Sequence, residues 1–182
     1  MKYKVIIDNT CELTDRIKAC DFVEIIGTSQ EKSQKEANSK YLKVILNNMQ
    51  HIRKECPNPE AFKKAFKCDA DAVFVITMSR KLSGAFASAV IGRSLYFEEY
   101  GEDKRIKVFN SNAVSCGEAA VAEKIIECIE KELSYEDICS AVSSVKKELG
   151  AGFLTETVEY IKKLSMGNMA ANVFACQADI KA

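Results

Sequence analysis

The sequence of 182 residues has no tryptophan, one histidine (His51), two prolines and no net charge, since 26 basic residues balance 26 acidic ones. Without an excess of positive charge, neither nucleic acid nor an anionic membrane is an expected partner. No apolar run approaches the roughly 20 residues of a membrane span, and the apolar stretch near Met1 is too short for a signal peptide. We therefore expect a cytoplasmic protein.

Motifs for common catalytic chemistries are also missing. The sequence contains no G-x-S-x-G nucleophile elbow, no H-E-x-x-H and no phosphate-binding G-x-x-x-x-G-K. Ser79 near Lys81 leaves a serine hydrolase with a lysine base as a further alternative, which serine-directed probes would test. We expect a protein that is not an enzyme and that carries no cofactor.

The eight cysteines occur singly, with no C-x-x-C pair. Structural zinc requires closely spaced pairs of ligands, so we expect no metal site. Disulfides require an oxidising compartment, which nothing in the sequence indicates. We expect most of the thiols to be small hydrophobic groups in the core.

Strand-like runs alternate with helical patterns along the whole chain. This alternation predicts an α/β fold: a parallel sheet with helices on both faces. One helix, over 85–100, is expected to bury a broad face that carries Phe86, Val90, Ile91, Leu95 and Phe97. The predicted strands are 4–8, 22–26, 73–77, 106–109 and 153–154; the predicted helices are 14–20, 39–50, one that begins at 58, 85–100, 113–133, 134–149 and 155–164.

A strand, a polar loop and a helix follow one another over residues 73–100, and this arrangement is where α/β proteins bind ligands. The loop brings Ser83 and Gly84 to the start of the helix. A helix start offers unpaired N–H groups and a positive dipole end, which favour an anion such as a carboxylate. Ser83 is equally well suited to be only the N-cap of that helix.

Five segments match, in order, the sequence pattern of a known family. On these segments the chain resembles the DegV family of bacterial fatty-acid-binding proteins. The matches are residues 7–13 with D-S-T-x-D-L, 57–62 with the end of T-S-Q-P-S-P-E-E-F, 75–86 with I-T-x-S-x-x-L-S-G-T-Y, 110–117 with D-S-x-x-x-S-x-G, and 157–164 with the helix that precedes G-G-R.

The resemblance implies that two lobes enclose one fatty acid, whose carboxylate is held by hydroxyls of the T-S-Q-P and S-G-T segments. It also implies a fatty-acid kinase as a partner. The predicted ligand-binding residues of this chain are Ser83, Gly84, Lys54, Thr77, Met78 and Phe86. Lys54 either pairs with the acid headgroup or forms a solvated pair with Glu55, and Met78, Phe86 and Phe174 either line the acyl site or belong to the core.

The sequence departs from the DegV pattern at several positions. Lys54 stands where the family has the threonine of T-S-Q, Ala85 replaces the threonine after S-G, and Asn9 and Asn110 replace a serine and an aspartate. We expect residues 1–150 to form a DegV-like N-terminal lobe. Residues 151–182 are expected to be the start of the second lobe, packed on the first lobe or in a homodimer interface.

Two functions from different classes remain open on these grounds. The first is a lipid-binding protein that holds a fatty acid or a similar carboxylate. The second is a shortened relative that binds no lipid and acts as an interaction or structural module. Lipid that copurifies beside Ser83 would distinguish the first from the second.

Overall fold

The computed structural model describes residues 1–27 and 56–150, in which parallel strands alternate with helices. The chain divides into two compact units, Met1–Leu149 and Gly150–Ala182. The helices predicted over 39–50 and 155–164 and the strand predicted over 153–154 lie outside the described residues, as do Lys54 and Phe174. The elements are β1 (Tyr3–Asp8), α1 (Asp15–Ala19), β2 (Val23–Ile26), α2 (Pro59–Phe66), β3 (Ala72–Thr77), α3 (Ala85–Tyr100), β4 (Arg105–Asn110), α4 (Cys116–Glu130) and α5 (Tyr135–Glu148).

The described strands form one parallel sheet in the order β2-β1-β3-β4. Every side chain of β3 is buried, as a central strand covered on both faces requires. Alternate side chains point to opposite faces: Val5 and Phe74 join a core with α1, α4 and α5, whereas Ile6 and Val75 join a core with α2 and α3. The predicted α/β fold with helices on both faces is confirmed.

Local polar signals set three of the five helix starts among the described residues. Three N-cap side chains accept hydrogen bonds from backbone N–H groups: Thr14 from Ile17 (3.3 Å), Asn58 from Ala61 (2.8 Å) and Ser134 from Asp137 (3.1 Å). Helix α3 ends at Gly101, whose φ of 85° favours glycine.

The prediction of one helix over 113–133 was wrong at both ends. Helix α4 begins only at Cys116, because Asn112 and Ser115 have φ angles of 60° and 55°, which no helix accommodates. Its last turn ends at Glu130, and Glu132 also has a positive φ, of 55°. The following helix, α5, ends at Glu148 with Leu149 as its C-cap residue.

The face that α3 buries differs from the predicted one. Ile91 is 50% exposed, and Phe86, Val90, Leu95 and Phe97 are only partly buried. The buried face carries mostly small residues because α2 approaches closely: a Cβ added to Gly92 would lie 2.5 Å from the carbonyl oxygen of Pro59. The residues buried on this face are Ala85, Ser88, Ala89, Gly92 and Tyr96.

The cysteine prediction holds only in part. Cys11 and Cys128 are buried in the core, but Cys116 is exposed and the other described cysteines are partly buried. All the cysteines in the described ranges are free thiols, and those ranges contain no group of metal-binding side chains. Among the same residues, no helix has the length and apolar character needed to cross a bilayer.

Substituting Gly92→Ala tests the close packing of α2 on α3. The new methyl group would also lie 2.9 Å from Cβ of Phe62. Overpacking costs about 1–3 kcal/mol, which exceeds the gain of about 1 kcal/mol in helix propensity. We expect a lower free energy of unfolding in urea, whereas Ser94→Ala on the exposed side of α3 should be nearly neutral. A Gly92→Ala protein as stable as the wild type would contradict this packing.

Candidate ligand-binding site

The sheet has a switch point between β1 and β3, because the chain leaves β1 toward β2 on one side and later returns to β3 on the other. In open α/β sheets, ligands bind in the crevice outside the carboxyl ends of the strands at such a point. Here the strands end at Asp8, Thr77 and Asn110. The loop after β3, residues 78–84, and the loop after β4, residues 111–115, form this edge of the sheet.

The carboxylate of Asp8, at the end of β1, forms a hydrogen bond with the first residue after β3 at this edge. Its side chain is 1% exposed; Oδ2 accepts a hydrogen bond from the N–H of Met78 at 2.8 Å, and Oδ1 accepts one from the N–H of Thr10 at 3.0 Å. Two N–H donors stabilise the charged carboxylate in a buried position. Asp8 therefore fixes the start of loop 78–84 relative to β1.

Loop 78–84 is also held by the loop after β4. The N–H of Ser79 donates to the carbonyl of Ala113 at 2.8 Å, and the N–H of Arg80 donates to Oδ1 of Asn110 at 3.1 Å. The carbonyl of Ser79 accepts from the N–H of Ser83 at 3.1 Å, which closes the loop into a turn. The position of Ser83 is thus set by backbone contacts at several points.

Ser83 and Gly84 lie at the start of α3, as the sequence predicts. Gly84 is the N-cap residue and provides no side-chain hydrogen bond. The hydroxyl of Ser83 accepts from the N–H of Ala85 at 3.1 Å, and its own proton stays available to a ligand. Ser83 therefore serves the start of the helix and can also donate to a carboxylate.

Cys56 lies against this helix start, and the sequence analysis did not include it in the site. Its Sγ atom is 3.1 Å from the position that a Cβ of Gly84 would occupy and 3.9 Å from Oγ of Ser88. Gly84 is exposed and Cys56 is partly buried, so the glycine stands at the surface beside Ser83 with the thiol packed against it. The alignment of Cys56 with the glutamine of T-S-Q-P is the signal that could have indicated it.

A second buried acidic side chain, Glu118, lies close to Asp8 and forms an acidic pair with it. Glu118, in the first turn of α4, is 0% exposed, and Oγ1 of Thr10 lies 3.0 and 3.1 Å from its two carboxyl oxygens. Burial, followed by the charge of Asp8, raises the pKa of Glu118 from its ordinary 4.5 to about 9. The helix N-terminus favours the charged form by at most about 2 kcal/mol in a buried position, which is less than two pKa units at 1.36 kcal/mol each and offsets only part of this shift. Glu118 is therefore neutral at pH 7.

Comparison with known proteins assigns the family. The sequence profile of the DegV family, described as uncharacterised proteins, matches residues 2–168. The chain belongs to the DegV family. A DegV domain-containing protein of Streptococcus pneumoniae strain R6 is 25% identical over 173 residues, which cover 90% of this chain and 60% of that protein.

Solved structures of DegV proteins share the fold. A DegV-family protein of Ruminococcus gnavus, refined with vaccenic acid, has a TM-score of 0.71 and 30% identity, and the match covers 90% of this chain and 61% of that one. The Fatty Acid Kinase (Fak) B3 protein of Streptococcus pneumoniae, loaded with linoleic acid, has a TM-score of 0.63 and 20% identity, covering 81% and 55%. The chain thus spans about three fifths of the length of these relatives.

The other predicted ligand residues of this DegV protein are spread over different environments. Thr77 is fully buried, and its hydroxyl donates to the carbonyl of Phe109 at 3.5 Å, so its side chain belongs to the core. Met78 is half-buried at the switch point, where its N–H is bound to Asp8. Phe86 is half-buried and packs against the core under α2 and α3. Lys54 lies outside the described residues.

Two surface cavities lie away from this edge. One of about 410 Å³ is lined by charged residues of α2 and by Glu99 and Tyr100 at the end of α3, and one of about 310 Å³ lies at the amino ends of β1 and β2. Neither includes Ser83. The acyl site, like the homodimer interface at residues 151–182, therefore stays a prediction.

The contact of Cys56 with Gly84 predicts an energetic coupling between them. Gly84→Ala forces the Cys56 thiol to shift, because its Sγ atom is 3.1 Å from the new methyl group. In a double-mutant cycle, we expect Gly84→Ala to cost about 1 kcal/mol more in the wild type than in a Cys56→Ala background. Urea unfolding measures this difference, and equal costs in both backgrounds would show that the two residues are not in contact.

Proposed function

We propose that this DegV protein binds a fatty acid, or a similar carboxylate lipid, with the carboxylate at Ser83 and Gly84. The observation that carries the proposal is the start of α3 at the switch point of the sheet, without a side-chain cap. Apart from the N–H of Ala85, which donates to the Ser83 hydroxyl, the N–H groups of the first helical turn are donors for an anion, and so is the hydroxyl of Ser83. Gly84 permits close approach because it has no side chain.

The family relationship supports a lipid as the ligand. The protein of Ruminococcus gnavus is 30% identical to this chain over the matched region and was refined with vaccenic acid, which is a fatty acid. This chain retains Ser83 and Gly84 of the S-G-T segment, while Ala85 and Lys54 replace the two threonines of the DegV pattern. Fewer neutral hydroxyls therefore remain for the headgroup, and the contribution of Ser83 becomes larger.

The proposal includes the setting in which the protein acts. It is a cytoplasmic bacterial protein that is not itself an enzyme and that presents the bound acid to a fatty-acid kinase. A soluble carrier suits this role, because the carboxylate at Ser83 would lie at the protein surface, where a second protein can reach it. Nucleic acid is not a proposed partner, since the chain has no net charge.

Removing the Ser83 hydroxyl is the direct test. A hydrogen bond to a charged group contributes about 1.5–3 kcal/mol, so Ser83→Ala should weaken binding of oleate about ten- to a hundredfold. Native mass spectrometry detects lipid that copurifies with the protein, and displacement of a fluorescent fatty acid gives the dissociation constant. Thermal unfolding followed by circular dichroism checks that α3 still forms.

Ser140→Ala is the matched control, because Ser140 is exposed on α5 and remote in sequence from loop 78–84. It should bind oleate as tightly as the wild type does. Wild-type protein that carries no lipid after purification and takes up no fatty acid at micromolar concentration would contradict the proposal. That outcome would favour the interaction or structural module.

A further inference from the structure

The hydroxyl of Thr10 lies between two buried carboxyl groups. Its Oγ1 atom is within hydrogen-bond distance of Oδ1 of Asp8 and of both carboxyl oxygens of Glu118. Asp8 comes from the end of β1 and Glu118 from the first turn of α4, so the three side chains connect the sheet to that helix. Asp8 is 1% exposed and Glu118 is 0% exposed, so water is largely excluded from both carboxyl groups.

Counting protons shows that one carboxyl group must carry a hydrogen. A threonine hydroxyl has a single proton and can donate to one carboxylate only, whereas an ionised carboxyl group only accepts. Asp8 already accepts hydrogen bonds from the N–H groups of Thr10 and Met78. The proton therefore belongs to Glu118, which donates to Thr10, and Thr10 in turn donates to Asp8.

Among the residues that the structure describes, no positive charge compensates a second carboxylate here. Cys11, in the loop after β1, is a titratable neighbour of both carboxyl groups. Burial, followed by the nearby acidic groups Glu118, Asp8, Glu12 and Glu123, raises the pKa of the Cys11 thiol to about 12. Among the described residues, neither Asp8 nor Glu118 takes part in an ion pair with a basic side chain.

We propose that Glu118 is a positioning residue that acts only in its protonated form: through Thr10 it holds Asp8, and through Asp8 it holds Met78 and loop 78–84. When Glu118 loses its proton, two carboxylates face one hydroxyl, and their repulsion displaces Asp8. The N–H of Met78, 2.8 Å from Oδ2 of Asp8, then loses its acceptor and the loop that carries Ser83 loosens. Alkaline pH therefore weakens ligand binding.

Glu118→Gln separates this effect from a general structural role. The amide is neutral at every pH and donates an N–H to Thr10, so it replaces the protonated acid permanently. Glu123→Gln is the matched control: it removes a carboxylate from the same helix that accepts instead from the hydroxyl of Thr14, at 2.6 Å. Both variants are compared with the wild type at the same pH. Ionisation of the ligand and the intrinsic rate of amide exchange then affect all three proteins equally.

Hydrogen exchange of peptides that cover loop 78–84 is the first readout. The pKa of Glu118 is about 9. We therefore divide the exchange rate of this loop in each protein by the rate in Glu118→Gln at the same pH. Between pH 7.5 and pH 10 this ratio should increase about tenfold for the wild type and for Glu123→Gln. Equal exchange in the wild type and Glu118→Gln at every pH would overturn the proposal. If Glu118→Gln does not fold, a carbon-13 NMR titration of the wild type tests the proposal instead. A Glu118 carboxyl group that titrates near pH 4.5 would overturn the proposal.

Oleate binding is the second readout, and this part rests on the proposed function. Wild type and Glu118→Gln should bind equally at pH 7.5, and the variant should bind about tenfold more tightly than the wild type at pH 10. If neither protein binds oleate at either pH, the proposed function fails while the exchange experiment still decides the role of Glu118. Binding that weakens equally in both proteins overturns the proposed effect of Glu118 on the ligand.

Discussion

The hydrogen bond from the N–H of Met78 to the carboxylate of Asp8 is the contact on which the carboxyl edge of the sheet depends. Strands β1 and β3 pair through Ile7 and Ile76, and beyond that pair their chains diverge into separate loops. The Asp8 carboxylate spans this divergence and satisfies a backbone donor that the ladder no longer reaches. Leaving a buried donor unsatisfied costs about 1–3 kcal/mol, a large share of the stability of a domain of this size.

The sequence predicts best those features that arise from neighbouring residues. Strands β1 and β3 and the helix starts near Thr14, Asn58 and Ser134 are confirmed, because apolar runs and capping side chains act within a few positions of the backbone that they determine. The buried face of α3 was predicted wrongly, because hydropathy does not encode how near another helix comes. At Gly92 that distance leaves no room for a side chain, so small residues are buried and Ile91 is exposed.

The same distinction applies to the candidate site. The helix start at Ser83 and Gly84 could be predicted, because strand, loop and helix follow one another in the sequence. The contact between Thr10 and Glu118 could not be predicted, because 108 positions separate the two residues. An acidic residue in the first turn of a helix is also expected from its favourable interaction with the helix dipole, so Glu118 did not stand out. Asp8 was visible as an acidic residue that ends a predicted strand and matches the first position of D-S-T-x-D-L, but its partner is the backbone N–H of Met78, which no side-chain motif reveals.

Unfavourable local features are concentrated at the carboxyl edge of the sheet. Helices α3 and α4 both begin there without a side-chain cap, whereas α1, α2 and α5 are capped. Asn112 and Ser115 adopt positive φ angles in the loop that holds Ser79, and such backbone costs about 1–3 kcal/mol per residue. The apolar cores on both faces of the sheet offset these free-energy costs. They do not explain why the uncapped helix starts and the positive φ angles of Asn112 and Ser115 occur at the same edge. An anion that accepts hydrogen bonds from the uncapped start of α3 gives a physical reason, because it would satisfy donors that the fold leaves open.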